Sequence, residues 1–172
     1  MAQLDLAAAR ILVVGARGPT GSMLRTVLTA AGITRIALVD EPRRALDMLC
    51  TEAFEAVFVE GTIQLDDTSF ALAARRNTML LNPMVPIFAV FGGPCRRDVE
   101  MARDQGITDV ICRPMTPKNL THKFRAALCA PRPFIAAQAF FGPDRRAKER
   151  PLHGEERRGQ TPKKTKVNFD LD

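Results

Sequence analysis

Five short apolar runs, each followed by a stretch of helical spacing, constrain this chain more than any other feature. The runs are Arg10–Val14 (R-I-L-V-V), Arg35–Val39 (R-I-A-L-V), Ala56–Val59 (A-V-F-V), Pro86–Phe91 (P-I-F-A-V-F) and Asp109–Cys112 (D-V-I-C). Near-continuous apolar runs of this length suit strands buried on both faces of a parallel sheet. Between them, Met23, Val27, Leu28 and Ala31 fit one helical face, with Gly32 where the helix should stop. Ala45, Met48 and Leu49 form a second stripe after Pro42, and Phe70, Leu72 and Ala73 a third, with capping residues at 66–68. Val99, Met101 and Ala102 mark a fourth helix ending near Gly106. The fifth begins at Thr116-Pro117, a cap with proline at the first helical position, and runs through Leu120, Phe124 and Leu128. This βα alternation, five times over, predicts a doubly wound open sheet with right-handed crossovers and helices on both faces.

The predicted organisation is a lead of residues 1–8, a domain of 9–130 and a tail of 131–172. Pro131 and Pro133 close the domain, and the polar, charged, Gly- and Pro-containing chain beyond reads as extended or disordered. Charge follows the same division: residues 131–172 carry 10 basic and 6 acidic side chains, about two thirds of the net +6. A tail of this kind suits nucleic acid, an anionic surface or an acidic protein face, or simply keeps the chain soluble. Gly142-Pro-Asp144-Arg145-Arg146 is echoed twelve residues later by Gly154-Glu-Glu156-Arg157-Arg158. That is either chance in a charged region or a pair of docking motifs, each presenting two guanidinium forks. Cys50, Cys95, Cys112 and Cys129 are widely spaced and only His122 and His153 join them, so neither a disulfide framework nor a zinc site is expected. The acidic start Met-Ala-Gln-Leu-Asp and the lack of an apolar stretch approaching ~20 residues lead to an expected cytoplasmic location without membrane contact.

In an open parallel sheet, ligands bind beyond the carboxyl ends of the strands. Those positions hold Gly15-Ala16-Arg17, Asp40-Glu41, Glu60, Phe91-Gly92-Gly93 and Arg113-Pro114. With I-L-V-V before the first of these loops, E-P-R-R-A-L-D-M-L after the second strand and D-V-I-C-R-P-M-T-P-K-N-L at the end, residues 9–130 resemble the CheY-like receiver domains of bacterial two-component systems. The tail stretches F-F-G-P-D-R-R and G-E-E-R-R are similar to tails on some single-domain receivers of alphaproteobacteria. The resemblance implies a flavodoxin-like (βα)5 fold of five parallel strands with a C-terminal basic extension. It also implies a phosphoryl-accepting aspartate after the third strand, served by Mg²⁺, an acidic pair after the first strand, a hydroxyl after the fourth and a lysine after the fifth.

This chain departs from that set throughout. The acidic pair falls on Gly15 and Ala16, the acceptor on Glu60, the hydroxyl on Phe91 and the lysine on Arg113, while an aromatic that often moves on activation falls on Val110. A hard cation needs oxygen ligands that Gly15 and Ala16 do not offer, so neither magnesium nor any other cofactor is expected, and no enzyme activity. Glu60 carries its carboxylate one bond further out than aspartate, and Arg113 is placed to pair with it, bidentately in the best geometry. Two outcomes stay open: a permanently set switch, or a site no longer used. An exposed ion pair contributes only about 0–1 kcal/mol, so a lock needs partial burial, which Phe91 favours.

The expected function is therefore phosphorylation-independent signalling by protein–protein interaction, with a histidine kinase, another regulator or an effector as partner. The family resemblance points to the face of the fourth helix, fifth strand and fifth helix, where Arg96, Arg97, Arg103, Lys118, His122 and Arg125 suit an acidic partner. Two other classes compete. Gly15–Gly21 reads G-x-x-G-x-x-G, with Asp40 on the next strand's end, close to a dinucleotide-binding fingerprint. Against it stand the short chain, the absence of Tyr and the amide lost at Pro19. Lys163-Lys164-Thr165-Lys166 and the Arg pairs supply phosphate contacts for nucleic acid, though acids are interspersed and only Phe134, Phe140, Phe141 and Phe169 offer stacking; nucleic acid is not the expected partner.

Overall fold

The computed structural model describes residues 6–15, 17–137, 140–144 and, for the backbone alone, 163–165. The chain runs β1 (Arg10–Val14), α1 (Pro19–Ala30), β2 (Arg35–Val39), α2 (Pro42–Thr51), β3 (Ala56–Glu60), β4 (Gln64–Leu65), β5 (Thr68–Ser69) and α3 (Phe70–Arg76). It continues through β6 (Ile87–Phe91), α4 (Arg96–Asp104), β7 (Asp109–Cys112), α5 (Pro117–Cys129), β8 (Phe134–Ala137), β9 (Phe140–Pro143) and β10 (Lys163–Thr165). The five long apolar runs form one parallel sheet in the order β2-β1-β3-β6-β7. This is the flavodoxin-like, doubly wound five-stranded arrangement.

Alternate residues of each central strand feed two separate cores, as the two-residue period of a strand requires. Leu12, Val14, Val57, Val59, Ile87 and Ala89 meet Ala45 and Leu49 of α2, Phe70 and Ala74 of α3 and Ala102 of α4. On the other face Ile11, Val13, Phe58, Phe88, Val90 and Ile111 meet Leu24 and Leu28 of α1 and Leu120 and Phe124 of α5. Phe88 stacks on Phe58 at 4.9 Å between centroids and lies 6.5 Å from Phe124, joining the sheet to α5. β2, at the edge, is exposed or half-buried along all but Val39.

Two departures from the sequence reading matter. The third helix begins at Phe70, capped by the Ser69 hydroxyl, which accepts the Leu72 amide at 3.2 Å, and not within 66–68. Those residues are taken by a tight antiparallel ribbon, β4 on β5, which turns at Asp66 with φ 54°. Aspartate tolerates that left-handed backbone better than most residues, so the segment forms a turn before the helix starts.

The second departure lies past Pro131 and Pro133. The tail there is extended but paired: β8 and β9 form an antiparallel hairpin, β10 adds to the free edge of β8, and Phe134 is buried against the domain. Folded structure therefore continues beyond residue 130, to at least Asp144, whose amide donates to the Pro133 carbonyl at 2.8 Å. The hairpin's anchor is Arg75, only 3% exposed. Its guanidinium donates to the carbonyls of Gly106 (3.0 Å) and Pro83 (2.9 Å) and lies 5.1 Å from the centroid of the Phe134 ring. Burial lowers its pKa to about 9, which still leaves it charged at neutral pH.

Candidate functional site

The strand ends converge on three side chains drawn from α1, β3 and the turn after β7. Glu60 closes β3, half-buried. Thr20, 4% exposed, is the second residue of α1, where Pro19 sets the first helical φ and directs the chain inward. The Thr20 hydroxyl donates to Glu60 Oε1 at 2.6 Å and accepts from Arg113 Nη1 at 2.9 Å. A threonine hydroxyl has one proton to give and lone pairs to receive, so this arrangement uses it in both directions.

The expected direct pairing of Glu60 with Arg113 is corrected here. Their charges are joined through Thr20, and the ion pairs among the described residues do not include this one. A hydroxyl between the two lets each charge keep a hydrogen bond while remaining half-buried, with less desolvation than direct contact would demand. Arg113 is fixed in turn by its own amide, which donates to the Phe91 carbonyl at 2.8 Å, and its guanidinium lies across Gly92. A Cβ at position 92 would come within 2.5 Å of Arg113 Nη2, so the glycine provides the room the arginine occupies. The Arg113–Pro114 peptide is cis.

Gly15 sits at φ 74° with its amide donating to the Val39 carbonyl at 2.9 Å. The space where a side chain would begin is filled by the δ-methyl of Ile63, which a Cβ at position 15 would strike. Ala16 lies outside the described residues. Phe91 and Val110 are half-buried and pack on the core shared with α2, α3 and α4, and the Phe91 ring edge passes 3.8 Å from where a Cβ on Gly61 would stand. Arg17 pairs with Asp40 at 2.9 Å on the exposed rim. Thr20 and Ile63 are not among the candidate site residues read from the sequence, and Gly92 is there only as part of the strand-end stretch Phe91-Gly92-Gly93. Only the Gly-Pro-Thr order at a helix start hinted at the first.

The six basic candidates on the α4–β7–α5 face are all exposed. Lys118, His122 and Arg125 follow i, i+4, i+7 spacing on α5 and so share one side of that helix. Arg96 is paired with Glu100 at 2.7 Å, whereas Arg103, Lys118, His122 and Arg125 make no ion pair among the described residues. Lys123, on the same helix, pairs with Asp109 at 2.8 Å. At the start of α4 the Asp98 carboxylate accepts the Cys95 amide at 2.8 Å, and that bond holds its pKa below the ordinary aspartate value, with Arg97 helping. Of the tail motifs, Gly142 is buried and Asp144 half-buried in the hairpin; Arg145, Arg146, Gly154, Glu156, Arg157 and Arg158 lie outside the described residues. No helix among the described residues is long and apolar enough to cross a membrane.

No family model and no curated protein matches the sequence. Solved structures do match. A CheY-like receiver domain protein from Methanospirillum hungatei is 19% identical over 72% of this chain and 95% of its own, with a TM-score of 0.57. The chemotaxis response regulator CheY4 of Vibrio cholerae is 18% identical over 70% of this chain and 98% of its own, at 0.57. The receiver domain of a sensor histidine kinase from Pseudomonas aeruginosa is 19% identical over 72% of this chain and all of its own, at 0.59; that protein was solved with magnesium coordinated in its active-site cleft. Identity this low speaks to architecture alone: the chain has the fold of the CheY-like response-regulator receiver domains.

Proposed function

We propose that this chain is a pseudo-receiver, a signalling module that works through protein–protein contact without phosphoryl transfer and without magnesium. The bridge Glu60–Thr20–Arg113 is the observation that carries the reading. Magnesium demands near-octahedral oxygen coordination. The end of β1 offers Gly15 and Ala16, which have no carboxylate; Ile63 fills the space beside Gly15, and Glu60 Oε1 already accepts a hydrogen bond from the Thr20 hydroxyl. These residues do not fit the ion. The bridge instead ties α1, β3 and the turn after β7 together. Thr20 is buried, so a set switch is favoured over a site left unused, because a solvated relay of this kind would hold little.

The partner surface in this reading is the basic α4–β7–α5 face, which suits an acidic patch on a kinase, another regulator or an effector. Pro19 at the first position of α1 removes an amide that a pyrophosphate would need, which weighs against dinucleotide binding. The cationic side chains on which nucleic-acid binding by the tail would depend lie outside the described residues, and of the stacking candidates Phe134 is buried while Phe140 and Phe141 are half-buried in the hairpin.

Amide NMR of the full chain, with Mg²⁺ and then with beryllofluoride as phosphoryl mimic, tests the central claim. The expected result is no metal-dependent shift at Thr20, Glu60 or Arg113. A localised shift there that requires the metal overturns it.

A further inference from the structure

Among the described residues, Arg75 is the one buried cation, and the site at the strand ends does not use it. It is held at the opposite end of the sheet, where the chain enters β6 and β7. Besides the Gly106 and Pro83 carbonyls, its Nη2 reaches the Thr108 hydroxyl at 3.5 Å, and that hydroxyl accepts the Ile87 amide at 3.0 Å. No carboxylate pairs with it among the described residues. Its remaining stabilisation is the Phe134 ring, which a desolvated guanidinium attracts more strongly than an exposed one would. One side chain therefore fastens the end of α3, the loop before β6, the α4–β7 turn and the C-terminal hairpin to one another.

A second contact shows that hairpin and turn are fitted together. Gly106, at φ 80°, and Gly142 bring their backbones into apposition. A Cβ on Gly142 would lie 2.9 Å from Gly106 Cα, and one on Gly106 would lie 3.1 Å from the Phe141 carbonyl oxygen and 2.8 Å from Arg75 Cγ. Any side chain at either position would part the two segments.

We infer that the β8–β9 hairpin is a clip in cis, whose seating on Arg75 sets the α4–β7 turn and so couples the hairpin to α4 and β7. When the hairpin leaves, Arg75 loses its ring contact and water reaches the guanidinium, so its grip on the Gly106 carbonyl competes with solvent and the turn loosens. The coupling is independent of whether the α4–β7–α5 face binds a partner. A plain cap would instead add stability to the whole domain evenly.

Hydrogen exchange on the full chain separates the two. Phe134→Ala removes the ring; Gly142→Ala, which touches neither the ring nor the guanidinium, forces the hairpin from Gly106; Phe134→Leu serves as a milder version of the first. In both alanine variants, protection at Gly106, Ile107 and Thr108 should fall at least about tenfold while Leu12 and Val57 in β1 and β3 stay as they were. Unchanged protection at the turn overturns the inference, and so does an equal fall at every amide.

Discussion

Thr20 decides what the residues at the strand ends can do. Its hydroxyl links a carboxylate 40 positions away to a guanidinium 93 positions away. Thr20→Val keeps the shape and removes the link, leaving Glu60 and Arg113 each one partner short. Because both are half-buried and retain some water, the expected cost is about 1–2 kcal/mol, measured by urea denaturation. In an Arg113→Ala background the same substitution should cost less, since the two residues act on one network. The sequence placed Glu60 and Arg113 at the ends of β3 and β7 because strand ends are legible from apolar runs. It could not show the threonine between them, nor the Ile63 methyl over Gly15, because both contacts depend on how α1 and the segment after β3 pack in three dimensions. Only the direct ion pair was drawn, since opposite charges on neighbouring strands suggest one another and an uncharged intermediary does not.

At the scale of elements, α4 carries a pH dependence of known sign. Asp98 accepts the Cys95 amide in the folded helix, and this hydrogen bond first, with Arg97 adding to it, lowers its pKa relative to the unfolded chain. The folded state thus holds its proton less tightly than the unfolded one. Its stabilising effect is complete above the ordinary aspartate range and is lost as pH falls through the lowered value. Hydrogen exchange of the amides in the first turn of α4, corrected for intrinsic rate, should show protection falling through that acidic window, and Asp98→Ala should flatten the response. Helix starts marked by proline were readable in advance: α1, α2 and α5 each have Pro at the first turn. The start of α3 was misplaced because Asp66 and Asp67 resemble capping residues and are used in the β4–β5 turn instead. The β8–β9 hairpin is not legible in the sequence for a related reason: its strands are four residues each, too short for a period to stand out from the prolines and charges around them.

Across the whole molecule, the sheet is stable because it divides its apolar residues between two cores, and Phe88 sits between the two other rings of one of them. It is fully buried, stacked on Phe58 within the sheet and in contact with Phe124 of α5. With no Trp and no Tyr in the chain, there is no other large ring type to take over its volume. Phe88→Ala should leave a cavity between β3, β6 and α5 and cost about 3–5 kcal/mol. That is a large share of the ~5–15 kcal/mol by which domains of ordinary size are stable, so the melting temperature should fall by about 10 °C or more. The truncation opens the face that holds α1 and α5, and α1 is the helix that presents Thr20. Amide shifts at Thr20 and Glu60 should therefore accompany the loss of stability, whereas Leu49→Ala, on the other core, should lower stability by about 2–5 kcal/mol with those two amides nearly unmoved. Equal disturbance of the bridge by both substitutions would show that the two cores do not act separately on the site.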